Sequence, residues 1–129
     1  MILPFLIVAA TENKGRGVFT TKNIVKGTVV EISPVIVLSI KDRKTIEQTL
    51  LHNYIFAWGN SCKKAAVALG YISMYNHSYN ANCNYEMDYD NEIMYIRAVK
   101  NIKKGEELSI NYNAAHNDTT PVWFHESVK

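Results

Sequence analysis

Apolar residues along the chain fall in short runs broken by Gly, Asn, Asp and Lys clusters, a rhythm that predicts strands rather than helices. Residues 1–10 read as a buried strand. Asn13-Lys14-Gly15-Arg16-Gly17 makes a flexible loop, Val18-Phe19-Thr20 re-enters a strand, and Val25-Lys26-Gly27 turns the chain into an apolar run at 28–32. A second run at 35–38 follows Pro34, and residues 54–58 and 65–69 read as further buried strands. Residues 83–89 and 93–98 form a hairpin pattern around Asp90-Asn91, and Lys103-Lys104-Gly105 precedes a last strand. Only 42–51 has helical composition, with Ile46, Leu50 and Leu51 placed for one buried face and Ser39 or Asp42 as the cap. The expectation is a mainly β domain with one or two short helices.

Length and composition narrow this picture. A chain of 129 residues suits one domain, 1–129, burying roughly two-thirds of its unfolded surface. The segment 114–129 is polar except for Val122-Trp123-Phe124, whose aromatic area is costly to leave in water, so this tail is expected to dock. A net charge of +2 is too small to be the electrostatic footprint of a nucleic-acid binder. Cys62 and Cys83 lack the close spacing of zinc ligands and read as buried free thiols in a reducing compartment; no metal is expected. The apolar opening is shorter than the about 20 residues a membrane helix needs, and no basic residue precedes it. A soluble cytoplasmic protein without a membrane partner is the expectation.

Several segments carry polar groups that have both a bland and a chemical reading. Gly15-Arg16-Gly17 is an ordinary turn or a bare-backbone ligand loop. Asn76-His77-Ser78 is a turn with a satisfied core histidine or a binding loop. Tyr112 is one of eight tyrosines. Glu86, Asp88, Asp90 and Glu92 alternate, which in an extended segment puts them on one face, either a solvated hairpin surface or an acidic edge that draws in basic peptides.

Order along the chain changes the weighting. Gly15-Arg16-Gly17, then Asn76-His77-Ser78 with Asn82-Cys83, then Gly105-Glu106-Glu107-Leu108 running into Tyr112, resemble the motifs of SET-domain lysine methyltransferases in their family order. The likeness spans roughly residues 12 to 113 and is greatest to the family's small minimal members, of chlorella-virus or free-standing bacterial type. Ser73 stands where many members carry Arg, Ala81 where Pro is expected, and Asn111 where Asp commonly precedes the tyrosine.

The resemblance implies a SET-domain, or β-clip, fold: short curled sheets with a C-terminal pseudoknot that brings Asn76 and Tyr112 together. It implies S-adenosylmethionine as cofactor, bound by Lys14, Gly15, Arg16, Gly17, Asn76, His77 and Tyr112, with Asn82 fixing the loop. Tyr112 and Tyr85 would be the catalytic residues, and Tyr54, Tyr85 and Trp123 would contact substrate. Tyr85 is placed to hold a water where extra methyl groups need room, which favours low-order methylation. The implied partner is a protein or peptide with a target lysine, basic and histone-like, and small relatives suggest a homodimer. A nuclear location would follow for a eukaryotic or viral source.

Transfer of a methyl group from a sulfonium to an amine is an in-line displacement, requiring a neutral amine aligned behind the methyl at about 3 Å. A free lysine has a pKa of about 10.4, which an apolar aromatic channel and a nearby positive charge both lower. The altered Ser73, Ala81 and Asn111 leave open a non-catalytic SET-like module that binds a peptide or protein. A small nucleic-acid binder using Lys63-Lys64 and Lys103-Lys104 is a further alternative, which the charge balance disfavours.

Overall fold

The computed structural model describes residues 1–112. Along them run β1 (Leu6–Ala10), β2 (Arg16–Thr20), β3 (Val29–Leu38), α1 (Ile40–Ile46), β4 (Ile55–Trp58), β5 (Lys64–Ala68), β6 (Asn76–His77), β7 (Cys83–Asp88), β8 (Ile93–Ala98) and β9 (Glu107–Ile110). Neighbouring strands follow the order β1-β2-β9-β7-β8-β3-β5-β4, with β6 alongside β9, in a sheet that curls into a half-barrel. The architecture is mainly β, as the short apolar runs imply.

β3 joins what the sequence divides into two strands, and Pro34 marks the joint. Up to Pro34 the strand pairs antiparallel with β8, and from Val35 onward with β5. Proline has no N–H to give a ladder, so it is tolerated where one partner hands over to the next. The core forms on the inward residues: Met94, Ile96 and Ala98 of β8 and Leu108 and Ile110 of β9 alternate with more exposed neighbours and meet Val18, Val30 and Ile72.

The C-terminal strand explains how distant motifs meet. β9 pairs antiparallel with β2 through Val18↔Leu108 and Phe19↔Glu107. It also pairs in parallel with β6 through Asn76↔Ser109 and His77↔Ile110, and with β7 through Cys83↔Ile110. The last motif is therefore drawn past the loop 78–82, both ends of which bond to it. This is the expected pseudoknot, and such threading departs from the usual unthreaded connection.

Four local expectations need correction. The opening strand is shorter than residues 1–10, lies at the sheet edge and leaves Ile7 exposed. The helix expected over 42–51 is α1, Ile40–Ile46, capped by Ser39, whose hydroxyl accepts from the Asp42 N–H. It ends early because Thr49 turns extended and caps a new 3-10 turn, Leu50–Asn53, leaving Leu50 and Leu51 exposed. Cys62 is exposed, whereas Cys83 is buried as expected. The acidic alternation breaks where the chain turns at 89–92: Glu86 pairs with Arg97 at 2.9 Å, Asp88 accepts from Asn91, and Glu92 adopts φ 53°. Among the described residues no helix is long and apolar enough to cross a membrane. The tail 114–129 and its expected docking lie outside the described residues.

Candidate active site

The three motifs converge on one turn. Residues 11–15 close a tight loop, with the Thr11 N–H and hydroxyl both donating to the Gly15 carbonyl and Gly15 at φ 70°, a conformation that favours glycine. From this loop Lys14 Nζ reaches the His77 carbonyl at 3.3 Å. The Arg16 carbonyl accepts from Asn76 Nδ2 at 3.0 Å, while the Lys14 and Arg16 side chains stay exposed. Lys14, Gly15, Arg16 and Gly17 thus lie against Asn76 and His77.

Gly17 has a different reason to be glycine than the sequence suggests. It is buried and faces inward: a Cβ there would overlap the Glu107 Oε2 oxygen and come within 2.8 Å of Asn76 Nδ2. Those two groups are bonded to each other at 2.8 Å. The bare backbone at Gly17 makes room for an internal pair between the second motif and β9.

Asn76 is 2% exposed, and both hydrogens of its amide are engaged, by Arg16 and Glu107. Asn82 ties the loop to β9 from both ends of its amide, donating to the Glu107 carbonyl at 2.9 Å and accepting from the Ser109 N–H at 2.8 Å. His77 Nδ1 accepts from the Tyr112 N–H at 3.1 Å, so the ring proton of the neutral imidazole sits on Nε2. The motif's polar side chains chiefly hold its segments together.

Tyr112 closes the site. Its hydroxyl donates to the Tyr75 carbonyl at 2.7 Å, and its ring lies 5.3 Å from that of His77. Tyr85 donates to the Tyr112 carbonyl at 3.2 Å, and burial pushes its phenol up to about 12, so it stays protonated across neutral pH. Phe56 lies 5.4 Å from Tyr85 and 6.3 Å from Tyr112, completing an aromatic group that no metal-ligand set accompanies among the described residues. Tyr54 meets this region through its carbonyl, which accepts from Ser73 Oγ at 2.8 Å. Ser73, in the place of the family's arginine, therefore links the approach to β4 with the turn before Asn76. Trp123 lies outside the described residues.

Sequence reasoning missed three participants. Phe56 shares the inward face of β4 with Trp58, a period-two signal that was readable. Tyr75 is fully buried directly before Asn76. Glu31 is a charged residue inside the apolar run 28–32, itself a sign of a buried polar group.

The fold and these converging segments define a small β protein whose site is assembled by threading its C-terminal motif beside an Asn-His loop. Residues 15–113 match the SET domain as a family. The chain is similar to a Schizosaccharomyces pombe protein named histone-lysine N-methyltransferase, H3 lysine-37 specific, being 37% identical over 108 residues that cover 83% of this chain and 72% of the relative. It is also similar to a crystal structure of a Plasmodium falciparum protein titled as a histone methyltransferase, with a TM-score of 0.67 and 25% identity over 88% of this chain and 97% of that one. The chain belongs to the SET-domain family of lysine methyltransferases.

Proposed function

We propose that the chain transfers a methyl group from S-adenosylmethionine to a lysine side chain of a protein, with basic, histone-like segments as substrate. The observation that carries this reading is the meeting of Tyr112 with the Asn76-His77 turn, the Lys14–Gly17 loop and the aromatic pair Phe56 and Tyr85. The histone substrate in the yeast relative's name makes an H3-like tail the first peptide to try.

The donor set fits that cofactor. Lys14 offers a cationic side chain beside the His77 backbone and Arg16 a second exposed one in the same loop, suited to a carboxylate, and the rings of Tyr112, Tyr85 and Phe56 suit a positively charged sulfur. When bound, S-adenosylmethionine supplies an electrophilic methyl on a sulfonium. Lys14, Gly15, Arg16 and the 76–77 backbone would hold it, with Asn76 acting mainly through its main chain because its amide hydrogens are engaged.

Tyr112 orients the reacting groups. Its hydroxyl is fixed by the Tyr75 carbonyl and its main-chain N–H by His77, so both ends of the residue are held. Phe56 and Tyr85 wall the substrate lysine with aromatic surface, excluding water and favouring the neutral amine. Tyr85 supplies a phenol that remains neutral and limits the room for added methyl groups; unchanged product distribution on Tyr85→Phe would refute that role.

Calorimetry with S-adenosylmethionine, followed by tritiated methyl transfer to a panel of basic proteins and H3-like peptides, tests the function. Wild type is expected to bind and transfer, and Tyr112→Phe to lose about 10²-fold in rate through misplacement of the reacting groups. Cofactor binding without transfer to any substrate would favour the non-catalytic module instead.

A further inference from the structure

Glu31 is fully buried in β3 and is connected to Tyr112 through Tyr75, whose hydroxyl bonds to the carboxylate and whose main-chain carbonyl accepts from the Tyr112 hydroxyl. Its Oε2 accepts from Ser33 Oγ at 2.6 Å and from the Tyr71 N–H at 2.8 Å. Its Oε1 accepts from the Tyr75 hydroxyl at 3.0 Å. Burying a carboxylate costs several kcal/mol unless its oxygens are satisfied. Burial does push this carboxyl upward, with all three bonds acting against that shift.

The placement of the bonds is what gives the carboxylate a role. Tyr71 and Tyr75 bracket the 3-10 turn Ile72–Met74, so one carboxylate clamps both ends of the segment that leads into Asn76-His77. Tyr75 is 0% exposed, and its carbonyl is the acceptor for the Tyr112 hydroxyl. Gly70 adopts φ +66°, and a Cβ there would overlap both Glu31 Oε2 and Ser33 Oγ, so the chain is kept bare where it passes the clamp.

We propose that Glu31 is a positioning residue for methyl transfer: by holding the Tyr71 N–H and the Tyr75 hydroxyl it fixes the Tyr75 carbonyl, and through it the Tyr112 phenol. This rests on the reading of Tyr112 as the residue that orients the reacting groups. A purely structural role would lower the amount of folded protein without changing the turnover of each folded molecule.

The test compares wild type, Tyr75→Phe, Glu31→Gln and the double variant, with rates expressed per folded molecule. In parallel, the ring resonances of Tyr112 are followed by NMR in ¹³C-tyrosine-labelled protein without cofactor. Each single variant is expected to lower kcat about tenfold, as a small misplacement near the reacting atoms does, with the peptide KM changed less than about twofold. The double variant should be no slower than the slower single, because the bond that Tyr75→Phe removes is among those that Glu31→Gln disturbs, and the Tyr112 resonances should move in every variant while those of Tyr89 stay. A folded Tyr75→Phe protein with wild-type kcat and an unmoved Tyr112 signal would overturn the proposal, as would losses that multiply in the double variant. Should Glu31→Gln fail to fold, Tyr75→Phe alone decides. Should wild type transfer no methyl at all, the proposed function fails, and the Tyr112 resonance alone decides the positioning: movement upholds it and constancy overturns it.

Discussion

Adding one methyl group at Gly17 tests how the site is assembled. A Cβ at this position would overlap Glu107 Oε2 and lie 3.1 Å from Glu107 Cδ and 2.8 Å from Asn76 Nδ2. Carbon prefers neighbours at about 3.5–4.0 Å, so the carboxylate must retreat by about 1 Å. The 2.8 Å bond from Asn76 Nδ2 to Glu107 would then stretch beyond hydrogen-bond reach, in a place where Asn76 is too buried to take water instead. Losing a bond to a charged group costs about 1.5–3 kcal/mol, partly offset by the about 0.4–1 kcal/mol that Gly→Ala gains from a stiffer unfolded chain. The net loss of about 1–2 kcal/mol corresponds to a fall in Tm of roughly 3–8 °C for a domain of this size. Calorimetric or circular-dichroism melting of Gly17→Ala checks it. In a Glu107→Ala background, where the overlapping oxygen is gone, the cost of Gly17→Ala should shrink to about half or less. A Gly17→Ala protein that melts with or above wild type would refute the reasoning, as would a full cost in the Glu107→Ala background.

Three further outcomes follow from the same geometry. Asn82→Ala removes the two bonds that its amide makes to β9 and should cost about 2–4 kcal/mol, read from urea unfolding; an unchanged midpoint would deny Asn82 its tying role. Tyr85 keeps its proton in the native state up to about 12 against 10.0 when unfolded, so the stability it contributes is complete below pH 10 and is lost as pH rises through about 12. That difference amounts to about 3 kcal/mol, and Tyr85→Phe should lose stability less steeply than wild type over this window; equal slopes would contradict it. Burial pushes the Cys83 thiol up to about 12 while Cys62 is exposed, so iodoacetamide at pH 8 should add one group to the native protein, at Cys62, and a second only on unfolding, as intact mass would show.

The sequence reveals much of the fold because its signals are local. Short apolar runs, a turn at Val25-Lys26-Gly27 and a hairpin at residues 89–92 each depend on a few neighbouring residues and appear where expected. What depends on distant partners is less visible. Pro34 argues for a break between two strands, yet β3 continues through it because different neighbours take over on either side. Leu50 and Leu51 have helical spacing, but Thr49 ends the helix before them and they remain exposed. Around the Asn76-His77 turn, the residues that the resemblance nominates, Tyr112 and Tyr85, lie together, whereas Phe56, Tyr75 and Glu31 join them through contacts that motif spacing does not encode.

Glycine and asparagine at a presumed ligand site invite the inference that they face the ligand, and here the geometry argues otherwise. Gly17 is bare for the sake of Glu107 and Asn76; the Asn76 amide hydrogens are spent on Arg16 and Glu107; both ends of the Asn82 amide are spent on β9. Even His77 uses its Nδ1 to hold the Tyr112 N–H. The threading accounts for this: the parallel pairing of β6 with β9 covers only Asn76↔Ser109 and His77↔Ile110, a short ladder. Side-chain amides add bonds to it, so the polar residues that identify the motif are also those that close the pseudoknot. Under the proposed function, backbone groups, exposed cations and rings are what is left to recognise the ligand.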